Sequence, residues 1–482
     1  MVHLQWTGDP YFDVGLATLL ALSNKDAPNQ LTPDDLDKAA QWMLENYTRD
    51  PLKSFLTVAF TTNNWFAAPS MKDEDKRARG EQHVYSWRLP RLGDVRCAFT
   101  GSPAVGVALS NSLLPGRAGR SQVPLLQGDK DINFYAGGIP GLPISGEALL
   151  CIQLMPMGCA KIGGRLLMVH ASEPSITLGF AREFLAINRE SVLLAQAAGE
   201  KKMGEPRYAL GTLLVTTLVK LIDAAQQHAT TDLPFSLTAY YFTNSGQSPD
   251  IVAYHLPLGV TGFVRRARSA RLRPAWERVV RIAESQAQSA KPQSPRTKEA
   301  IVRNPFYEDL LALPERSRPF LRRYFIVPAL RPEFATVEDA PIWPLVEVFL
   351  QEIKNMDQAR IQDIRTVADR IAAFIRREND RRLFQALYGA SGYRELRNTL
   401  IKANLAALRS TGDPLISFEE FISVYEIGEE TPQSDWRLAH DLMLLRIMEQ
   451  LADWLRGHQE VLAVLETAQN TISDTDQDTQ EE

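Results

Sequence analysis

Between Val264 and Arg281 the chain carries Arg265, Arg266, Arg268, Arg271, Arg273, Arg278 and Arg281 around a single aromatic residue, Trp276. A guanidinium is a planar fork that bonds two oxygens of one phosphate at once, so this density suits phosphate gripping. It equally suits a solvated charged face. A second group, Asn111, Arg117, Arg120, Gln122, Lys130, Asn133 and Tyr135, lies in a segment rich in glycine and proline. Glycine lets backbone approach a ligand closely, and amide and guanidinium groups hydrogen-bond base edges. A surface excursion held by turn chemistry has the same composition.

Catalytic constellations are sparse. The sequence holds no G-x-x-x-x-G-K-[ST] loop, no G-x-S-x-G elbow and no H-E-x-x-H pair. Cys97, Cys151 and Cys159 are 54 and 8 residues apart, which gives no zinc spacing. His440-Asp441 has the form of the dyad in metal-dependent phosphohydrolases, but no second such pair lies nearby in sequence, so it reads as helix surface. His170 and His255 end apolar strands, where a hydrogen-bonded core or edge histidine is expected. The expectation is a chain that is not an enzyme and needs neither metal nor cofactor.

The 482 residues suffice for two to four domains, and 45% hydrophobic with 23% charged residues excludes wholesale disorder. The net charge of -5 argues against a uniformly basic coat protein. That charge is unevenly placed. Residues 261–300 hold ten Lys/Arg against three Glu, whereas residues 411–482 hold seventeen acids against three bases. Three cysteines and an N-terminus without a basic leader pattern predict a reducing, cytoplasmic setting. No run of about 18 apolar residues occurs, so no membrane partner is expected.

The elements that must carry these residues follow from pattern. Tyr11–Ala21 reads as a helix, and Thr32-Pro33-Asp34-Asp35 reads as the cap of another running to Tyr47. Phe60–Ser145 reads as strands and loops. Glu147–Met155 and Arg165–His170 read as strands, Ile176–Ala198 and Arg207–His228 as helices, and Ser236–Asn244 with Asp250–His255 as a strand pair around Ser245–Ser248. Pro274–Ala287 reads as a helix and Gln288–Pro295 as a linker. Beyond Pro341 the period is helical. Ile361, Ile364, Val367, Ala368, Ile371 and Ile375 share one face, Tyr393–Arg409 follows, Ser417-Phe418-Glu419-Glu420 is a capping box, and Ser434–Ala468 reads as one long helix. The expected fold class is α+β. An irregular mixed body with short strands and helices, residues 1–340, precedes an all-α helical bundle, 341–470, and a disordered acidic tail, 471–482.

Three segments together resemble a known family. The opening Trp6-Thr7-Gly8-Asp9-Pro10-Tyr11-Phe12-Asp13-Val14-Gly15-Leu16-Ala17 is similar to the start of the large subunit of type I-B CRISPR Cascade effector complexes. Cys97-Ala98-Phe99-Thr100-Gly101-Ser102-Pro103-Ala104 resembles that family's cysteine-rich turn. Asn133–Gly146, followed by the run Ala148–Pro156, resembles its glycine-rich segment. The resemblance covers most of the first 200 residues. Where the family often pairs cysteines, only Cys97 stands here, so no zinc is expected in the turn.

The resemblance implies a non-catalytic subunit that contacts the 5' end of CRISPR RNA, recognises the protospacer-adjacent motif (PAM) and helps open target double-stranded DNA. Its implied partners are CRISPR RNA, target DNA, the Cascade backbone and small subunits, and a recruited helicase-nuclease or transposition proteins. The Asn111–Tyr135 loop is assigned to motif reading or RNA-end contact, and Arg265–Arg281 to phosphate tracking. The bundle resembles the small subunit, which in this group can arise by internal translation. Met356 would begin such a product of 127 residues, or is simply a helix residue on an apolar face. A different nucleic-acid-binding or scaffold protein with a helical oligomerisation bundle is the alternative, and a metal-dependent phosphohydrolase using His440-Asp441 the third.

Overall fold

In the computed structural model, residues 4–128, 135–227, 234–244, 249–289, 301–329, 341–425 and 432–458 are described. Lys130, Asn133, the Ser245–Ser248 turn, most of the expected linker and the 471–482 tail lie outside them. The fold is α+β. The chain forms two compact units, one of Met1–Gly262 with Gln293–Arg303 and one of Phe263–Pro292 with Asn304–Glu482.

In the first unit, α1 (Pro10–Leu22) begins where the Asp9 side chain accepts the Phe12 N–H and Pro10 takes a first-turn position that needs no donor. α2 (Pro33–Asn46) begins with a capping box between Thr32 and Asp35. Two short helices, α3 (Leu52–Leu56) and α4 (Asp73–Val84), follow. Strands β1 (Arg91–Arg96) and β2 (Pro103–Val105) pair antiparallel, as do β3 (Arg117–Ala118) and β4 (Leu142–Pro143).

The segment expected as the strand Glu147–Met155 is a helix, α5 (Gly146–Leu154), capped by the Ser145 hydroxyl on the Ala148 N–H. Gly146 to Leu154 is buried at every position but Glu147, so the run shows no period by which helix and strand could be told apart. β5 (Ala160–Ile162), β6 (Arg165–Ala171), β7 (Leu237–Thr243) and β8 (Asp250–Leu256) form an antiparallel sheet in that order. α6 (Pro174–Ala197) and α7 (Leu210–Gln227) lie between β6 and β7 in sequence. α1 is the centre of this unit. It packs on α5 and α6 and buries nine consecutive residues, Phe12 to Leu20. Gly15 permits the crossing, because a Cβ there would lie 2.1 Å from the Cys151 carbonyl oxygen.

The chain enters the second unit within α8 (Leu258–Ala267). α9 (Arg273–Ser289), α10 (Pro305–Leu310), α11 (Ser317–Leu321), a π-helical turn at Arg322–Ile326 and α12 (Val327–Ala329) come next. The boundary expected near residue 340 lies near 262 instead. Its cause is an aromatic core that ties these segments to the bundle. Ring centroids are 5.4 Å apart for Phe263–Phe349, 5.0 Å for Trp276–Phe306, 5.1 Å for Phe306–Phe320 and 5.4 Å for Phe320–Phe349. Such edge and offset pairs add to the burial of large rings.

The bundle comprises α13 (Trp343–Glu352), α14 (Gln358–Glu378), α15 (Arg381–Tyr388), α16 (Tyr393–Thr411), α17 (Phe418–Tyr425), α18 (Pro432–Gln450) and α19 (Ala452–Arg456). All six residues expected on the inner face of α14 are buried. Arg446 of α18 grips Asp369 of α14 with Nε at 2.7 Å and a terminal nitrogen at 3.1 Å. The expected helix Ser434–Ala468 is broken at Leu451, whose backbone leaves helical geometry at ψ 8° before α19. Residues beyond 458 lie outside the described set. Met356 is not a helix residue. It sits between α13 and α14, next to Asp357, whose side chain caps α14. Among the described residues, no helix is long and apolar enough to cross a membrane.

Candidate nucleic-acid interface

The opening segment of the first unit works as a clasp. Asp13 is 3% exposed, and its carboxylate accepts from the Thr7 N–H at 2.9 Å, the Thr7 hydroxyl at 3.2 Å, the Gly8 N–H at 2.8 Å and His170 Nε2 at 3.2 Å. These bonds fold the chain before α1 onto the helix and pin both to β6. Burial raises the Asp9 carboxyl above the usual carboxylate range. His255 shares a 3.0 Å hydrogen bond with Thr238 across β7 and β8. His170 and His255 are therefore hydrogen-bonded strand histidines, as their positions predict. The Asp13–His170 pairing joins residues too distant in sequence for spacing to reveal.

The other two family-like segments meet the same frame. The Cys97 turn closes through Cys97 N–H to Ser102 O at 2.7 Å and Gly101 N–H to Cys97 O at 3.0 Å. Ala98 N–H then bonds Pro143 O, and Val105 N–H bonds Ile144 O, each at 2.9 Å. Pro143–Gly146 leads into α5, which crosses α1 at Gly15. Cys97, Cys151 and Cys159 are buried free thiols, and burial pushes those of Cys151 and Cys159 up, against thiolate formation. Among the described residues, no three metal-ligating side chains converge.

Most of the loop residues chosen for base reading turn inward. Gln122 is 3% exposed. Its amide oxygen accepts from Gly119 N–H at 3.0 Å, and its amide nitrogen donates to Leu109 O at 3.3 Å. Arg117 donates to the Ile139 and Gly141 carbonyls at 3.2 and 2.6 Å. Arg120 donates from Nε to Asn244 Oδ1 at 2.9 Å, and Asn244 in turn holds the Ala59 carbonyl. The buried Tyr135 donates its hydroxyl proton to Gln127 O at 2.5 Å. Among the described members of the group, Asn111 is the exposed one, with Arg79 donating to its amide oxygen at 3.3 Å. Arg79, unremarked in sequence, is thus the cation beside the exposed Asn111.

The arginine stretch divides. Arg266 bonds Glu352 at 2.7 Å and Gln351 at 2.8 Å. Arg268 is 6% exposed, lies 3.7 Å from Glu277, and its carbonyl accepts from Arg273 at 3.3 Å. Arg265, Arg273 and Arg278 are half-buried. Arg271, in the turn between α8 and α9, and Arg281 on α9 are exposed, and neither side chain bonds any described residue. Of the six arginines assigned to phosphate, Arg271 is the one presented outward without an engagement.

His440 departs from its expected place on the helix surface. It is 5% exposed, and its Nε2–H donates to the Leu387 carbonyl at 2.8 Å. Burial lowers its pKa, so it is a neutral core side chain whose outer nitrogen proton is committed to backbone. Comparison with known proteins finds no matching family model and no matching curated sequence.

Proposed function

We propose that this chain is the non-catalytic large subunit of a type I-B Cascade complex, which recognises the protospacer-adjacent motif and helps open target DNA in the cytoplasm. The observation carrying this reading is the convergence of its three family-like segments. They are far apart in sequence, yet the clasp at Asp13, the Cys97 turn and the Pro143–Gly146 lead into α5 form one bonded frame.

In this reading, base pairing by the guide reads most of the target and protein reads only a short duplex motif. The pair of half-buried Arg79 and exposed Asn111 is the first candidate for that contact, and Arg271 and Arg281 for phosphate. The partners are CRISPR RNA, backbone and small subunits, and a recruited helicase-nuclease or transposition proteins. Met356 is suited to start an internal product, because it lies just ahead of the α14 cap rather than within a helix. Tagged full-length chain purified from its native cell should bring CRISPR RNA and backbone subunits with it. Purification without RNA would overturn the reading.

One observation favours the scaffold alternative. Ile401, Leu405 and Leu408 of α16 are 51%, 51% and 45% exposed at helical spacing, an apolar stripe facing solvent. Self-association of the RNA-free chain, abolished by Leu405→Glu, would support that reading instead.

A further inference from the structure

The aromatic core of the second unit holds a second arginine group. Arg316, Arg318, Arg322 and Arg323 fall within eight residues and are all exposed. The side chains of Arg316 and Arg318 make no ion pair or hydrogen bond to any described residue. Arg323 bonds Asp309 at 2.8 Å and lies 5.2 Å above the Tyr324 ring, yet remains 54% exposed. Phe320, among these arginines, and Tyr324, directly after them, are each 2% exposed. Tyr324 is further fixed by its hydroxyl, which donates to Asp309 at 2.6 Å.

The segment is therefore anchored by buried rings while its guanidinium groups point to water. The same core fixes α9. Trp276 meets Phe306 at 5.0 Å, and Phe306 meets Tyr324 at 5.1 Å. Arg281 thus belongs to an element packed on the one that bears Arg316–Arg323, and Arg271 sits in the turn that leads into it. Block charge concealed the group, because residues 301–340 contain six Arg and six acids.

We infer that Arg316 and Arg318, with Arg322 and Arg323 beside them, form a phosphate-binding surface for the backbone of a nucleic acid, an inference that rests on the nucleic-acid reading above. Several outward guanidinium groups on two adjoining elements match a polymer of regularly repeated phosphates. A membrane surface would ask for exposed apolar side chains among the arginines, and none of the large exposed hydrophobic residues lies between 303 and 329. Guanidinium groups aimed at phosphate carry no base information, so the contact is independent of sequence.

The test is binding of full-length protein to two unrelated DNA duplexes across a salt series. Arg316→Ala/Arg318→Ala should weaken both complexes by about tenfold and reduce the salt slope by about 2. Its melting temperature should stay at the wild-type value, since neither side chain has a partner to lose. Arg316→Lys/Arg318→Lys should keep the slope and recover part of the affinity. If the wild type binds DNA and the double alanine variant binds it with unchanged affinity and slope, this inference falls while the nucleic-acid reading stands. If the wild type binds no nucleic acid, or binds anionic vesicles in its place, both fall.

Discussion

In the first unit, Arg117, Arg120 and Gln122 bond backbone groups of neighbouring turns, whereas in the second unit Arg271, Arg281, Arg316 and Arg318 reach solvent. The difference follows from what the backbone needs. A segment with only two-residue strands leaves many peptide groups without a ladder partner, and buried ones must be satisfied by side chains. A helix satisfies its own backbone, so its arginines are released for other work unless a carboxylate captures them, as Glu352 captures Arg266. Polar loop residues of the first unit therefore build its frame, and arginines on and between the helices of the second unit remain to meet a ligand.

That contrast is most easily broken at the frame. Gly15→Val should cost about 3 kcal/mol or more, because its Cβ would enter the Cys151 carbonyl and force α1 from α5. Urea unfolding measures it, and a wild-type midpoint would show that the crossing is looser than 2.1 Å implies. Acid acts next, and on both units alike. His83 donates Nδ1–H to the Arg79 carbonyl at 2.7 Å, and burial brings its pKa down from 6.5 to about 4. Burial lowers His440 as well. A depressed histidine pKa means that the unfolded chain binds the proton first. Stability is then intact above pH 6.5 and falls as pH drops towards 4, with about 2 kcal/mol lost by pH 5 for His83. His83→Gln should flatten that dependence in denaturation at pH 7 and pH 5.

Gln122→Ala comes third. It leaves the Gly119 N–H and Leu109 carbonyl without their partners and should cost about 1.5 kcal/mol. If the variant instead unfolds like the wild type but changes motif preference, the inward assignment of this residue is wrong.

How much of this was legible before the structure depended on the range of the interaction involved. The caps of α1 and α2 are local, and Asp9-Pro10 and Thr32-Pro33 announce them. The polar α4 buries only Gly80, His83 and Val84, so it has no apolar face for a period to reveal. α15 is hidden for a different reason. Leu383, Phe384, Leu387 and Tyr388 give it a clear face, but over only eight residues. The density of arginines was visible, but not which of them are engaged. Arg266 is engaged by residues more than 80 positions away, and Arg120 by Asn244, 124 positions away. The passage between units near residue 262 is hidden for the same reason, since Phe263 and Phe349 meet only in the folded chain. Local chemistry sets where elements begin; long-range pairing decides which polar groups are left over for function.

The smallest expected effect on stability gives the sharpest test of that rule. Arg271 sits in the α8–α9 turn, exposed and unbonded, so Arg271→Ala should change unfolding free energy by less than about 0.5 kcal/mol. Arg268→Ala, three positions away in the same stretch but buried beside Glu277, should cost clearly more. For nucleic-acid binding the order should reverse when each variant is measured at a temperature where it is fully folded. Arg271→Ala should lower affinity and reduce the salt slope by about 1, and Arg268→Ala should leave the slope unchanged. Two arginines three positions apart would then separate frame from ligand surface within one turn of chain. Equal slopes for both would mean that burial does not sort these side chains, and the contrast between the two units would lose its physical basis.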